Sequence, residues 1–582
     1  MNYNLLKQII GISALSLLCG CARNAPKQAS AVDAPGEITT RSSTALVNHP
    51  LAPKEFRRPD GWKRQRYPLT VEQISEKYSE KTMKKAAETF AKMEAVNDKG
   101  KWKPTPQSID SHKCPEWFLD AKFGIFFDWG LWSIPSWAPK KEKGAMYPDW
   151  YEQRMYSNFT PKSAFYGYKD YHIKNWGEDF QRDDFISLFK GEKFDAEKLV
   201  KLFKQSGAKY VVPFNKHHSG FCLWDSSFTL RSSAAMGPKR DFVKEIVKAC
   251  AENDMKFGFY FSIDEWEAPI LKPDGTLGTY RWGKMGAVED FDPKLNDMAS
   301  GKIAVKDFIK DYIVPQAIEF IDKYSPDIVW YDADWAGPAT YFRTYDISAY
   351  FYNVNDGKKE VAVNDRYGRA APEELAKKNF KGRKRTWLRT IRGDFFTDEF
   401  GDTSAEISVD SYHPWEACRG ISQSYGNNWQ DNETNVITSK EFINMFADMV
   451  ARGGNLLLIV NPDGQGGLPE IQKRRLLDIG GWLANNGEAI YATRMLAPFH
   501  CDGAAYTRTK DGKFGFAILK NPAKQVELKF SPVQNAQFSD VATGAKIGWK
   551  YKNPAKKEGA VLTLPDSLAK SELPVAVKFN LK

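Results

Sequence analysis

The sequence predicts an α/β fold: a (β/α)8-type barrel followed by a C-terminal β-sandwich. Short apolar runs recur from about residue 122 to about residue 490, and amphipathic segments with helical spacing lie between several of them. Alternating strands and helices are typical of a parallel sheet, and the number of repeats favours a closed barrel over an open sheet. After about residue 490, short alternating segments separated by turn residues predict the sandwich.

The first residues of the chain predict export. Lys7 precedes an apolar run from Ile9 to Leu18, which is too short for a stable membrane-spanning helix. The following Leu18-Cys19-Gly20-Cys21 resembles a bacterial lipobox, in which Cys21 becomes the lipidated first residue. An uncleaved anchor or an ordinary signal peptide is the alternative. We therefore expect an exported bacterial lipoprotein, periplasmic or outer-membrane associated, that touches the membrane only through this anchor.

Four regions follow from these patterns. Residues 1–20 form the predicted lipoprotein signal peptide. Residues 21–100 combine a tether rich in Ala, Pro, Ser and Arg with an N-terminal helical segment that begins near residue 71. Residues 101–490 form the predicted catalytic barrel, and residues 491–582 form the predicted sandwich.

The charge composition of the chain bears on which macromolecules it can bind. The 582 residues include 83 basic and 73 acidic residues, a net charge of +10, and the two signs are interspersed, which is typical of a solvated surface. We expect no nucleic-acid partner, although acidic glycans remain compatible with the charge. The five cysteines beyond the signal peptide are odd in number and scattered, so they predict neither a disulfide framework nor a zinc site. They are Cys114, Cys222, Cys250, Cys418 and Cys501.

The predicted barrel strands are short apolar runs, as expected for strands that are buried on both faces. They are Phe123–Phe127, Tyr210–Phe214, Phe257–Phe261, Ile328–Tyr331, Val361–Val363 and Leu456–Val460. Between them, Asp195 is placed to cap a helix that ends at Gly207, and another helical pattern ends at Gly453.

Polar clusters directly follow four of these strands. They are Asp128-Trp129, Lys216-His217-His218, Asp332-Ala333-Asp334 and Asn364-Asp365-Arg366. Active residues of such barrels lie at the carboxyl ends of the strands, so these clusters predict the site. Trp330 and Asp332 are two residues apart and point the same way along a strand, which suggests a carboxylate that works on a sugar. An Asp that merely ends a strand is the alternative.

From about Trp117 to Tyr491 the chain resembles the α-L-fucosidases of glycoside hydrolase family 29. Each matching segment is weak alone, but their order and spacing together make a strong match. The segments are Ala121–Phe126, Asp149–Tyr151, Ala208–Val212, Lys216–Phe221, Trp330–Asp332, Asn364–Arg366, Gly393–Glu399 and Gly453–Leu458.

The resemblance implies a retaining exo-glycosidase that uses two carboxylates. It places the catalytic nucleophile at Asp332 and the general acid/base at Glu399, with Asp398 and Glu406 as fallback candidates for the second role. In a retaining enzyme one carboxylate attacks the anomeric carbon while the other protonates the leaving oxygen, and the two lie about 5–5.5 Å apart. Asp332 must then be ionised, and Glu399 must hold a proton near neutral pH.

The resemblance also implies a set of sugar-binding residues and no cofactor or metal. Adjacent histidines rarely chelate one ion, and no third ligand is suitably spaced, which argues against a metal site. The resemblance instead implies that His217 and His218 bind sugar hydroxyls. Tyr425 matches an aromatic residue that packs against the sugar methyl group. The expected binding residues are Asp128, Trp129, Asp149, Trp150, His217, His218, Tyr260, Trp330, Arg366 and Tyr425.

Two departures from the family pattern concern the sugar. Asp128 stands where the family usually has the histidine of a His-Trp-Gly segment, and Asp149 stands where it usually has a glutamate. An ionised carboxylate only accepts hydrogen bonds, so the first change is expected to alter which hydroxyl geometry is favoured.

The sequence therefore predicts hydrolysis of α-L-fucosides of glycans, with a fucosylated or related L-hexose-containing glycan as partner. An α-L-glucosidase or α-L-galactosidase on the same scaffold is the alternative. A non-catalytic glycan-binding lipoprotein and a metallohydrolase built on the histidine pair are further alternatives from other classes.

Overall fold

The computed structural model describes residues 51–65, 67–141, 144–158, 160, 163, 165–291, 297–369, 393–399, 412–501 and 503–582. The predicted signal peptide, Cys21 and Glu406 lie outside these residues. No helix among the described residues is both long enough and apolar enough to cross a membrane.

Eight parallel strands form the first sheet, and they lie side by side in the order Ala362–Val363, Ile328–Asp332, Lys256–Ser262, Tyr210–Pro213, Phe123–Phe127, Gly454–Val460, Trp415–Gly420 and Phe396–Glu399. A parallel bridge between Asn364 and Phe395 joins its two end strands, so the sheet closes. The predicted (β/α)8-type barrel is confirmed. The strands up to the end of the barrel are β1 (Phe123–Phe127), β2 (Tyr210–Pro213), β3 (Lys256–Ser262), β4 (Glu267–Leu271), β5 (Leu277–Arg281), β6 (Val288–Asp290), β7 (Ile328–Asp332), β8 (Ala362–Val363), β9 (Phe396–Glu399), β10 (Trp415–Gly420) and β11 (Gly454–Val460).

Helices lie between the strands and cover the barrel. Asp195 caps one of them, since its side chain accepts a hydrogen bond from the Lys198 N–H, and Gly207 follows that helix with a positive φ. The described helices are α1 (Val71–Lys99), α2 (Pro106–Asp110), α3 (Glu116–Ala121), α4 (Tyr151–Arg154), α5 (Tyr168–Trp176), α6 (Ala196–Gln205), α7 (Phe242–Glu252), α8 (Val314–Tyr324), α9 (Ala339–Phe342), α10 (Thr344–Asn355), α11 (Ser439–Ala451), α12 (Glu470–Asn486) and α13 (Asp566–Ala569).

A small antiparallel sheet is inserted after β3. Its strands β4, β5 and β6 pair in chain order and form a hairpin layer beside the carboxyl end of the barrel. The sequence does not predict this insertion, because the three strands carry polar residues and follow no strict alternation.

The C-terminal β-sandwich consists of antiparallel strands in the order β12-β13-β14-β19-β16-β17-β18-β15. It has its own apolar core, which includes Tyr506, Leu519, Phe538 and Phe579. The indole N–H of Trp482, in α12, donates to the Pro574 carbonyl at 2.8 Å and joins the barrel to the sandwich. The strands are β12 (Thr493–Cys501), β13 (Ala504–Thr509), β14 (Phe514–Leu519), β15 (Gln525–Leu528), β16 (Phe538–Asp540), β17 (Lys546–Asn553), β18 (Glu558–Thr563) and β19 (Val575–Asn580).

Gly124 of β1 gives a test of packing inside the barrel. A Cβ at this position would lie 2.2 Å from the ring of Tyr210, whose hydroxyl donates to Glu416. We expect Gly124→Ala to lower the free energy of unfolding by about 1–3 kcal/mol, because the buried ring must move. Denaturant unfolding monitored by fluorescence measures this change.

Gly481 provides the matched control, since a Cβ there would meet no atom within 4 Å. Because Gly481 lies inside α12, Gly481→Ala should be neutral or stabilise the protein by about 0.5–1 kcal/mol. Equal unfolding free energies for the two variants would contradict the packing described for β1 and β2.

Candidate active site

The carboxyl ends of the barrel strands bring together most of the residues expected to form the site. Asp332 ends β7, Arg366 follows β8 and Glu399 ends β9, while the histidine pair follows β2. Parallel strands of a barrel all end on one face, and this explains why segments far apart in sequence meet there.

Asp332 is held by two donors. The Tyr260 hydroxyl donates to Asp332 Oδ2 at 2.7 Å, and the Arg366 guanidinium donates to Asp332 Oδ1 at 2.9 Å. Burial raises the pKa of Asp332, and both donors oppose that rise by stabilising the charged form. The carboxylate is thereby fixed in direction at the end of its strand.

Arg366 also binds the second carboxylate of the predicted pair. Its Nη2 lies 2.7 Å from Glu399 Oε1, and its Nε donates to the Thr397 hydroxyl at 2.9 Å. Asp332 and Glu399 therefore bracket one guanidinium.

The alternation of β9 separates Glu399 from its neighbour Asp398. Thr397 and Glu399 both contact Arg366, so their side chains point to the same face of the strand. Asp398 lies between them in sequence and points to the opposite face. The geometry favours Glu399 over Asp398 as the partner of Asp332.

The ion pair with Arg366 bears on the expected proton of Glu399. A guanidinium at hydrogen-bond distance stabilises the ionised carboxylate, whereas a general acid must carry a proton. The ion pair therefore opposes the protonation that a general acid requires, and the proton expected on Glu399 stays a prediction.

His218 lies beside Asp332 and His217 lies beside Asp149, and burial keeps both histidines neutral near neutral pH. Burial lowers the pKa of His218 to about 3 and that of His217 well below its ordinary value. The Ser262 hydroxyl donates to the Asp264 carbonyl and so accepts from His218 Nδ1, 2.6 Å away. This leaves His218 Nε2, 3.7 Å from Asp332 Oδ2, as an acceptor that faces the pocket.

Asp128 and Asp149 form a buried acidic pair, and Asp149 Oδ2 lies 3.8 Å from His217 Nε2. Trp132 Nε1 donates to Asp128 Oδ1 at 2.9 Å. Burial raises the pKa of Asp128 to about 8, while burial and the charge of Asp128 raise the pKa of Asp149 well above its ordinary value. A carboxyl with this raised pKa holds its proton near neutral pH and can donate a hydrogen bond, whereas the sequence predicted a group that only accepts.

Four buried atoms around this pocket have no hydrogen-bond partner among the described residues. They are Asp128 Oδ2, Asp149 Oδ1, His217 Nδ1 and His218 Nε2. Buried polar atoms are rarely left unpaired, because each lost hydrogen bond costs stability. Their convergence, together with the carboxylates of Asp332 and Glu399, fits a ligand that carries several hydroxyl groups.

Other predicted binding residues occupy different positions around the pocket. The Trp330 ring lies beneath Arg366, 4.8 Å from the guanidinium carbon, and is fully buried, so it forms part of the floor. Trp150 lies at the rim, 5.2 Å from the His218 ring. The Tyr425 hydroxyl donates to the Cys418 carbonyl, and the Tyr425 carbonyl accepts from the Asp149 N–H.

Trp129 is not brought to this pocket. Its ring stacks on Phe194 at 5.0 Å and packs against Phe189 and Phe242, and its indole N–H donates to the Asp463 carbonyl. Neighbouring residues of an extended chain point to opposite faces, so the inward direction of Asp128 sends Trp129 outward into the apolar core.

Sequence reasoning missed Glu416, a buried carboxylate inside the barrel. It accepts from Trp330 Nε1 at 3.0 Å and from the Tyr210 hydroxyl at 2.5 Å, and burial raises its pKa to about 7. The sequence signal that could have indicated Glu416 is a single charged residue within an otherwise apolar run, Trp415-Glu416-Ala417-Cys418. The position of Trp330 below Arg366 depends on this contact.

Comparison with known proteins agrees with this geometry. The family model described as Alpha-L-fucosidase matches residues 89–488. The Alpha-L-fucosidase of Dictyostelium discoideum is 29% identical over 82% of this chain and 94% of its own length. The Tissue alpha-L-fucosidase of Bos taurus is 29% identical over 83% of this chain and 92% of its own length.

Solved structures give the same result. The Thermotoga maritima alpha-fucosidase in complex with fucose aligns with a TM-score of 0.62 and 29% identity, covering 82% of this chain and 100% of that one. The same enzyme in complex with a mechanism based inhibitor aligns with a TM-score of 0.63, covering 83% of this chain and 100% of that one.

The fold, the carboxylates at the strand ends and the named relatives together place the protein among the glycoside hydrolases. The match over more than half of the chain then names the group: the protein belongs to the α-L-fucosidase family.

The protonation of Asp128 predicts a pH effect. Asp128 is protonated below pH about 8 and ionised above it, so kcat/KM should fall as the pH rises through that value. Ionisation removes a donor and places a negative charge beside Asp149. In Asp128→Asn, which keeps an N–H donor and cannot ionise, this alkaline limb should move to higher pH.

Initial-rate pH profiles of both enzymes measure the shift. Asp511→Asn, at an exposed site in the sandwich, serves as the control and should keep the wild-type profile. An unchanged alkaline limb in Asp128→Asn would show that another group controls it.

Proposed function

We propose that the protein is a retaining exo-α-L-fucosidase that removes terminal α-L-fucose from glycans. The observation that carries this proposal is the pair of carboxylates, Asp332 and Glu399, on one buried guanidinium beside unpaired hydroxyl-binding atoms. The choice of fucose as the sugar rests on the names of the relatives, which are α-L-fucosidases.

In the first step Asp332 Oδ attacks the anomeric carbon of the bound sugar. The glycosidic C–O bond breaks, and Glu399 gives its proton to the departing oxygen. Glu399 carries that proton on Oε2, while its Oε1 faces Arg366 Nη2 and can still accept from it.

In the second step the covalent sugar ester on Asp332 is hydrolysed. Glu399, now ionised, takes a proton from water, and the water oxygen attacks the anomeric carbon from the side that the aglycone left. Asp332 departs as a carboxylate, stabilised by Arg366 and the Tyr260 hydroxyl. Two inversions give net retention of configuration.

The buried polar atoms hold the sugar during both steps. His218 Nε2 accepts from a hydroxyl, and Asp128 donates through its protonated oxygen. Asp149 and His217 supply further partners, and Trp150 closes the rim beside them. Trp330 and Tyr260 act from below by fixing Arg366 and Asp332.

A second candidate differs only in the sugar. Because Asp128 replaces the histidine of the family pattern, an α-L-glucosidase or α-L-galactosidase uses the same catalytic groups with a changed hydroxyl partner. The three candidate activities (fucosidase, galactosidase and glucosidase) differ in the relative kcat/KM that they predict for the 4-nitrophenyl α-L-fucoside, α-L-galactoside and α-L-glucoside. A preference for the fucoside supports the first function, and a preference for either of the others replaces it.

We also propose that the protein is exported and lipidated at Cys21. The support is the apolar run that ends in Leu18-Cys19-Gly20-Cys21. Expressed in a bacterial host, the wild type should fractionate with membranes and Cys21→Ser should not. Identical fractionation of both would contradict lipidation.

Azide rescue tests the two catalytic roles. Asp332→Gly should abolish hydrolysis of 4-nitrophenyl α-L-fucoside, and added azide should occupy the emptied side and give the β-L-fucosyl azide. Glu399→Gly should slow turnover of poor leaving groups by about 10²–10⁴-fold, and azide should then give the α-L-fucosyl azide by attack on the covalent intermediate.

Asp398→Ala is the matched control from the opposite face of β9. It should retain hydrolysis and form no azide product. NMR spectroscopy of the products distinguishes the two anomers. The same azide anomer from both glycine variants, or azide rescue in Asp398→Ala, would contradict the assignment.

A further inference from the structure

Two tryptophans, Trp282 and Trp335, stand at the mouth of the pocket and have no role in the reaction described above. Trp335 lies three residues beyond Asp332 and is 37% exposed, an unusual state for so large an apolar ring. Its ring centroid lies 6.1 Å from that of Trp282 and 6.0 Å from that of His218. We refer to Trp282 and Trp335 as the tryptophan platform.

Backbone contacts fix the platform to the pocket. The Trp282 N–H donates to the Trp266 carbonyl at 3.0 Å, and the Trp266 N–H donates to the His218 carbonyl at 2.9 Å. The platform is therefore joined to His218, whose Nε2 lies 3.7 Å from Asp332 Oδ2.

The inserted hairpin layer is tied down in the same place. Asp264, which follows β3, accepts from the Gly283 N–H at 3.0 Å and from the Tyr280 hydroxyl at 2.8 Å. Because Gly283 is next to Trp282, this carboxylate holds the backbone from which the indole extends. A side chain on a fixed backbone loses less conformational freedom when a ligand stacks on it.

The position of the platform decides which part of a substrate it meets. The partners of the cleaved sugar, Asp128, Asp149, His217 and His218, are buried, whereas Trp335 is open to solvent. In an exo-enzyme the rest of the glycan leaves the pocket through its mouth. The platform is therefore in the path of that remainder and offers it apolar ring faces.

We propose that Trp282 and Trp335 form a subsite that binds a neutral pyranose of the aglycone glycan by stacking. This inference rests on the proposed function and adds the part of the substrate beyond the bond that is cleaved. The flat C–H face of a pyranose matches an indole face, and two indoles at this separation can contact one or two sugar rings.

The test compares substrates with and without an aglycone. α-L-Fucosyl fluoride has a single atom as leaving group and cannot reach the platform, whereas 2′-fucosyllactose and fucosyl-α-(1→3)-N-acetyllactosamine can. We expect Trp335→Ala and Trp282→Ala to lower kcat/KM by about tenfold for at least one oligosaccharide, while the rate on the fluoride is kept. Trp335→Phe should restore part of the loss, and Phe514→Ala, at an exposed aromatic of the sandwich, should show none.

Equal losses on the fluoride and the oligosaccharides would overturn the subsite, since they would indicate damage to the pocket itself. Unchanged rates on both oligosaccharides would also overturn it. If the wild type hydrolyses neither kind of substrate, the proposed function fails instead. Ligand-observed NMR with lactose and N-acetyllactosamine then tests the platform alone: binding that Trp335→Ala removes supports it, and binding that is absent or unaffected overturns it.

Discussion

The site depends on one buried cation, the guanidinium of Arg366. It is within hydrogen-bond distance of Asp332 and Glu399 and lies 3.7 Å from Asp334. A buried charge is costly unless it is paired, so each of these carboxylates compensates the burial of Arg366, and Arg366 compensates theirs. This mutual dependence holds the ends of β7, β8 and β9 in one arrangement.

The same arrangement sets what each group can do. Asp332 is stabilised as an anion by Arg366 and Tyr260, which suits a nucleophile. Glu399 contacts the same cation through Oε1, so Arg366 stabilises the ionised form of both carboxylates. Below them, the Trp330 ring packs against Arg366 and its indole N–H donates to Glu416. Residues deep in the barrel therefore help to position Arg366, which contacts both carboxylates.

Much of this could be predicted from local patterns. Apolar runs followed by polar residues located the strand ends, and two-residue spacing placed Trp330 and Asp332 on one face. What could not be predicted depends on contacts across the barrel. The hydrogen bond from Trp330 to Glu416 joins two strands that are far apart in sequence. The raised pKa of Asp128 follows from its burial in the folded barrel. Trp129 points outward because the preceding residue, Asp128, points inward.

In the proposed mechanism Asp332 forms a covalent bond to the sugar. Reaction with 2-deoxy-2-fluoro-α-L-fucosyl fluoride, followed by protease digestion and peptide mass spectrometry, detects such a bond. We expect a single fluorofucosyl group on the peptide that contains Trp330-Tyr331-Asp332, and no label in Asp332→Asn. A label on Glu399 or Asp334, or hydrolysis with inverted configuration and no trapped intermediate, would contradict it.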